Sequence, residues 1–277
     1  MTSHDVVAHL RKILKIKQIG HTGTLDPFAE GVLPICIGKA TRLIEYFADD
    51  KEYLATVQFG SSTSTFDIEG EKTFTSDKKV FENDIINELK NFEGEILQTP
   101  PIYSAIKVNG KKLYDYAREG KTVEIKPRKV FIENIELKTF DENIQQAQIL
   151  IKCSKGTYIR SIADDLGKSL GCGGHLVKLI RTQAGNFRVE NSKKLDEINI
   201  SSDLINPLEM INIPKIEVTK DDIDKIKHGI ALDIKNMSKN FTSDSENFVI
   251  LVYNHDKICA VGCTNKNEIK MKKVFVE

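Results

Sequence analysis

Three stretches of the chain concentrate residue types that can do chemistry. The first is Gly20-His21-Thr22-Gly23-Thr24-Leu25-Asp26-Pro27-Phe28-Ala29-Glu30-Gly31. Its glycines let the backbone turn tightly or approach a ligand closely. Pro27 biases Asp26 away from the helical region, so the carboxylate is expected on a bent, extended loop. A carboxylate placed this way can act as a nucleophile or base, with Glu30 as a partner. On the residues alone, an Asp-Pro turn that merely caps the next segment explains the pattern about as well.

The second stretch, Cys153-Ser154-Lys155-Gly156-Thr157-Tyr158-Ile159-Arg160-Ser161-Ile162-Ala163-Asp164-Asp165-Leu166-Gly167, reads as a strand, a Gly turn and a helix. It puts Arg160 in the first helical turn, where anions are preferred. A cation there calls for a carboxylate or phosphate partner; the plainer alternative is an exposed arginine paired with Asp164 one turn on. The third stretch runs from Pro100-Pro101-Ile102-Tyr103-Ser104 through Lys107, Lys111 and Lys112 to Tyr114. Residues 105–130 carry eight Lys/Arg against three acids, with Tyr114 and Tyr116 among them, and residues 10–42 carry six against two. Basic stretches with interleaved rings fit RNA, whose phosphates supply affinity and whose bases stack. For either patch alone, a solvated lysine-rich face is the better explanation.

The elements that must position these residues can be read from periodicity. Residues 3–15 make an amphipathic helix with Ser3 as a possible cap and Val6, Leu10, Ile13 and Leu14 on one face. Residues 16–42 have no clean period and read as a long irregular, functional segment. A helix is expected near 39–48, a half-buried strand over 52–59 from its alternation, and a short helix over 83–92. Strands follow at 130–139 and 146–153, and a helix at 158–170. Without a regular βα repeat, the class is α+β with a mixed or antiparallel sheet. Residues 191–225 hold five lysines and eight acids. A boundary near Pro214 divides the chain into 1–213 and a small β-rich module, 214–277, with a helix at 220–227 and strands at 248–253, 257–262 and 272–276.

Composition bounds the rest. The 277 residues carry 40 Lys+Arg against 40 Asp+Glu, so the charge sum is silent about partners. Apolar runs are far below the ~20 residues that span a bilayer. No secretory leader is evident, so a cytoplasmic location is expected. Five scattered cysteines read as reduced thiols. Cys259 and Cys263, with His255 nearby, lack the second pair that a zinc site needs, and read as small apolar strand residues.

The motifs GHTGTLDPFAEGVLPICIGKATRL (20–43), KEY (51–53), PPIYSAIKVNGKKLYDYAREG (100–120) and CSKGTYIRSIADDLGKSLGCGGH (153–175), in this order, resemble the TruB family of tRNA pseudouridine synthases. The resemblance runs from Met1 to about Val189 and more loosely to the C-terminus. It implies a pseudouridine synthase catalytic domain followed by a small PUA-like RNA-binding module. The implied activity converts uridine 55 of the tRNA T loop to pseudouridine, with no metal or organic cofactor. The target base must be flipped out before a side chain can reach it. By motif match, Asp26 is the covalent catalyst, attacking either the sugar C1′ or the base C6. Arg160 supplies the compensating cation, and Tyr53 stacks on the uracil and can move the C5 proton. Tyr158 and Leu179 line the base pocket. His21 fills the space the extruded nucleotide leaves. Thr24, Lys107, Lys111 and Lys112 are expected to contact RNA.

The resemblance also makes Cys172 and His175 part of a structural turn and Asp67 a loop-ordering acid. There are two departures. Family members usually carry a short strand and a Lys-Pro-x-Gly segment before the residues matching Met1-Thr2-Ser3, so either the true start lies upstream or one N-terminal sheet strand is missing. Leu179-Ile180-Arg181 also stands where Leu-Arg-Arg is common, which removes one phosphate contact. A stand-alone monomer is expected. Two other readings compete with catalysis on tRNA: a non-catalytic tRNA-binding or folding protein, and a carbohydrate hydrolase using Asp26 and Glu30.

Overall fold

Strand Lys51–Phe59 alternates as its sequence requires: Ala55, Val57 and Phe59 are buried. It is the axis of a sheet, with Gly174–Ala184 antiparallel on one side and Gln146–Cys153 antiparallel on the other. The sheet continues through Arg128–Asp141 to Gly94–Gln98, and ends at Phe187–Arg188 beyond Gly174–Ala184. Glu30–Gly31 adds to Gly174–Ala184 in parallel. The computed structural model describes residues 1–234, 247–265 and 267–276. Among the described residues, this sheet has seven strands, all antiparallel except for the short parallel pairing, in agreement with the expected α+β class.

Helix Ile159–Ser169 covers this sheet with the face that three- and four-residue spacing predicts. Ile159, Ile162, Ala163 and Leu166 join Ala55, Val57, Ile149, Ile151, Leu176 and Leu179 in one core. Burying each such side chain contributes about 1.5–3 kcal/mol. Helix Glu82–Leu89, capped by Asp84 accepting from the Phe81 N–H (3.1 Å), adds Ile85 and Leu89 to the same core.

Two sequence expectations need correction. No strand is read from residues 174–184, yet Gly174–Ala184 is an 11-residue strand at the heart of the sheet. Register shifts between Leu176 and Lys178 and between Arg181 and Gln183 break its two-residue period, which hides it from a search for alternation. Residues 16–42 are also less irregular than expected. Ile19–His21 pairs antiparallel with Ile35–Ile37, and the helix expected near 39–48 is a 3-10 helix, Gly38–Tyr46.

The chain forms two compact units. The first is Met1–Ser3, Thr24–Leu33 and Asp49–Ser192; the second is His4–Gly23, Pro34–Ala48 and Lys193–Glu277. In the second, Val7 and Leu10 of helix Ser3–Leu14 pack with Ile19, Ile35 and Ile37. Its described residues also form a five-stranded sheet in the order Lys215–Glu217, Phe248–Tyr253, Lys257–Asn265, Glu268–Val274, Leu232–Asp233. Helix Lys220–Lys227, with the boundaries the sequence predicts, closes on a Thr219–Asp222 capping box and buries Ile226 against this sheet. The β-rich C-terminal segment is therefore present. Cys259 and Cys263 are buried, free thiols on strand Lys257–Asn265. Among the described residues, no helix is long and apolar enough to cross a membrane.

Candidate active site

The three stretches singled out by sequence meet at one guanidinium in the first unit. Arg160 Nε donates to Asp26 Oδ2 (3.0 Å) and Nη2 to Asp26 Oδ1 (3.1 Å), a bidentate fork. Nη2 also donates to the Tyr103 carbonyl (3.0 Å) and Nη1 to the Thr65 carbonyl (3.3 Å). Nη1 lies 3.4 Å from Asp67 Oδ2. Arg160 thus makes four hydrogen bonds, and the Asp67 carboxylate adds a second ion pair. The arginine side chain is 6% exposed and Asp67 5%, whereas Asp26 keeps 32% of its surface open. The arrangement is a buried cation holding a reachable carboxylate. The alternative partner, Asp164, pairs instead with Lys168 (2.5 Å).

Asp67 is more than the loop-ordering acid that sequence suggests. Its Oδ1 accepts from Thr65 Oγ1 (2.5 Å) and the Glu69 N–H (3.0 Å), which orders the turn. Its other oxygen faces Arg160, so the ordered turn also anchors the cation. Helix Ile159–Ser169 starts without a side-chain cap from Tyr158. The buried Gln98 serves the start in its place, accepting from the Tyr158 N–H (2.7 Å) and donating to the Tyr158 carbonyl (3.0 Å). Ser161 Oγ donates to the Thr99 carbonyl (2.9 Å). These bonds fix the turn that presents Tyr158 and Arg160. Gln98, immediately before Thr99-Pro100-Pro101, carries no motif signal that sequence reasoning could have used.

The Asp26 loop is tied at several points. The Ala29 N–H donates to the Asp26 carbonyl (3.0 Å), confirming a turn at Asp-Pro, and Ser3 Oγ accepts from the Leu25 N–H (2.9 Å). Arg181, 1% exposed, reaches the loop from the strand beside it. Its Nε donates to the Val32 carbonyl (2.8 Å) and its Nη1 to the Thr24 carbonyl (3.3 Å), while its own carbonyl accepts from the Val32 N–H (2.9 Å). Gly31 has φ +106°, and a Cβ there would overlap the Arg181 backbone, so only glycine lets the loop lie against the strand.

Tyr53 stands opposite Arg181 in the sheet register, with its phenol beside the Arg181 guanidinium. Burial pushes the Tyr53 phenol above its ordinary value, and the Arg181 charge opposes that rise. Burial in turn pushes the Arg181 guanidinium down, opposed by Tyr53. Leu179 is buried opposite Ala55. Sequence reasoning treated Arg181 only as the remnant of a phosphate-binding pair; its place inside the sheet was hidden with the strand itself.

The remaining predicted residues are placed as follows. Thr24 is exposed and offers its carbonyl to Arg181. Asn109 and Gly110, at φ 52° and 81°, close the hairpin that pairs Lys107–Val108 with Lys111–Lys112. Lys107 is exposed. Lys111 pairs with Glu119 and lies 5.0 Å from the Tyr116 ring centre; Lys112 donates to the Tyr114 hydroxyl (3.0 Å) and lies 5.1 Å from that ring. His21 belongs to the second unit, on strand Ile19–His21 opposite Ile35. His175 is buried with Nδ1 2.9 Å from the Ser61 carbonyl, a bond in which the ring nitrogen must donate.

Comparison with known proteins points the same way. Residues 11–159 match the family model described as TruB family pseudouridylate synthase (N terminal domain), and residues 160–209 match the tRNA pseudouridylate synthase B C-terminal domain. The chain is 43% identical to tRNA pseudouridine synthase B of Carboxydothermus hydrogenoformans, over 99% of this chain and 94% of that protein. It is 39% identical to the enzyme of that name from Clostridium tetani, over 100% and 96%. Among solved structures it is similar to a chain of a Cbf5-Nop10-Gar1 complex, with TM-score 0.73 and 27% identity over 100% of this chain and 82% of that one. A chain of an H/ACA RNP bound to a substrate RNA containing 2'-deoxyuridine gives TM-score 0.72 and 25% identity with the same coverage. The family match spans the loop of Asp26 and the strand of Tyr53, and its second part begins at Arg160: the chain belongs to the TruB family of pseudouridylate synthases.

Proposed function

We propose that this chain is a tRNA pseudouridine synthase that isomerises uridine 55 in the T loop, with Asp26 as the covalent catalyst. The observation that carries the reading is the part-exposed Asp26 carboxylate held in a bidentate fork by the buried Arg160. A carboxylate can attack the flipped-out nucleotide at C1′ or C6 and later leave. The bond from C1′ to N1 breaks, the base turns, a bond from C1′ to C5 forms, C5 loses its proton and N1 takes one up; nothing is oxidised or reduced. Arg160 fixes the direction of the carboxylate. Tyr53 lies against the same core as Leu179 and serves to stack on the uracil and move the C5 proton. Tyr158 and Leu179 form the walls of the base site.

His21 occupies the gap in the T loop, and Thr24, Lys107, Lys111 and Lys112 bind the RNA backbone. Residues 1–213 act as the catalytic domain, and 214–277 as a PUA-like module that grips the acceptor-stem side. The protein works as a cytoplasmic monomer without an obligate protein partner. The test is Asp26→Asn, assayed by tritium release from C5-labelled uridine in a tRNA transcript and by filter binding. Loss of release with tRNA binding retained is expected. Continued turnover by Asp26→Asn would refute the assignment, and binding without turnover by the unaltered protein would favour a non-catalytic tRNA-binding role.

A further inference from the structure

We propose that Arg181 is a positioning residue that locks Tyr53 and the Asp26 loop to each other, so that the two reacting side chains keep one relative geometry. The inference rests on the catalytic reading above for the roles of Asp26 and Tyr53. Its structural basis is a coincidence of register. Arg181 pairs with Tyr53 across one edge of strand Gly174–Ala184 and with Gly31 across the other. Its guanidinium holds the two ends of the loop through the Thr24 and Val32 carbonyls, with Asp26 between them, and the sheet register sets it against Tyr53.

The chemistry of the group matters. A guanidinium only donates, so toward Tyr53 it can engage only the phenol oxygen, which leaves the phenol proton available to another acceptor. Its planar fork reaches several acceptors at set angles, which a lysine ammonium does not reproduce. Burying a side chain of this size and charge is costly, and an aliphatic residue would fill the same space in a sheet interior more cheaply. Arg181 makes sense where its bonds do something that packing cannot. The strand bulge just after it, between Arg181 and Gln183, re-aims the backbone at this place.

The proposal separates Arg181 from Arg160. Arg160 touches the Asp26 carboxylate; Arg181 bonds the loop backbone and stands opposite Tyr53 in the sheet. Loss of Arg181 should therefore leave tRNA affinity nearly unchanged and slow the chemical step. A 1 Å misplacement of a reacting group is enough to cost about 100-fold in rate.

Three measurements test this. In Arg181→Lys, single-turnover pseudouridine formation at saturating tRNA should fall roughly 100-fold while the dissociation constant for tRNA stays within about threefold. The Tyr53 ring ¹³Cζ resonance, identified by its absence from Tyr53→Phe, should shift. In Tyr53→Phe, which keeps the ring, the Arg181 guanidinium ¹⁵N resonance should shift. The last measurement leaves Arg181 in place and decides the pairing even if Arg181→Lys does not fold. Retention of the rate within twofold in a folded Arg181→Lys overturns the proposal, as does an unmoved Arg181 resonance in Tyr53→Phe. If the unaltered protein makes no pseudouridine, the functional reading falls, while the two resonance shifts still judge the Tyr53–Arg181 lock.

Discussion

Replacing Asp67 with Asn asks from which side Arg160 is held. The guanidinium lies between two carboxylates, Asp67 at 5% exposure and Asp26 at 32%. In Asp67→Asn, Oδ1 can go on accepting from Thr65 Oγ1 and the Glu69 N–H, now 2.5 and 3.0 Å away. An amide NH₂ then takes the place of Oδ2 and meets Arg160 Nη1, so two donors face each other in a dry site. Leaving a buried charged donor short of its acceptor costs about 2–3 kcal/mol. Asp26→Asn removes the part-exposed carboxylate, where water can replace the lost partner, and should cost only about 0.5–1 kcal/mol. Arg160→Met strips the cation from both acids and should cost about 3–5 kcal/mol. For a unit of this size each kcal/mol is worth about 2–4 °C in Tm, so Asp67→Asn should melt roughly 4–12 °C lower and Asp26→Asn less than about 4 °C lower. Activity should rank differently. Asp26→Asn should be inactive, and Asp67→Asn about 10–100-fold slow, because the guanidinium that aims Asp26 is released on one side. Urea unfolding followed by circular dichroism, run beside the tritium-release assay, measures both. A larger stability loss for Asp26→Asn than for Asp67→Asn, or a full rate in Asp67→Asn, would refute this account of the site.

Other outcomes follow from the same geometry. Gly31→Ala should lose about 2–4 kcal/mol and most activity, because the new methyl meets the Arg181 backbone at a φ of +106°; a wild-type urea midpoint would contradict the proposed contact. Burial pushes the Cys153 thiol from 9.0 up to about 11, so the folded chain keeps a proton that the unfolded chain has lost between those values. That contribution to stability is complete below pH 9 and should fall at about 1.4 kcal/mol per pH unit above it, a slope that Cys153→Ala should flatten in urea titrations. Binding of tRNA should weaken steeply with salt despite the zero net charge, and Lys107→Ala should reduce the slope of log K against log salt by about 1; a flat salt dependence would count against a phosphate-binding face.

Much of the site was legible in the chain itself, and the reason is locality. Asp26 on a bent loop follows from Asp-Pro and the glycines around it, and Arg160 at the start of a helix follows from a Gly turn ahead of Ile159, Ile162, Ala163 and Leu166. Strand Lys51–Phe59 and helix Lys220–Lys227 were readable because one face of each is buried and their periods are unbroken. Arg160 plainly needed an acidic partner or a phosphate.

Which partner it took was decided only in three dimensions. Asp26 lies 134 residues away in sequence, and Asp164, one helical turn along, pairs with Lys168 instead. Strand Gly174–Ala184 escaped detection because bulges interrupt its alternation, and with it went the role of Arg181. Sequence by itself determined the chemical types and the local conformations that offer them, since propensity, turn chemistry and periodicity act over a few residues. Tertiary structure alone decided which buried charges face each other: that depends on strand order and register across the sheet, where one shift of a bulged strand changes every pairing.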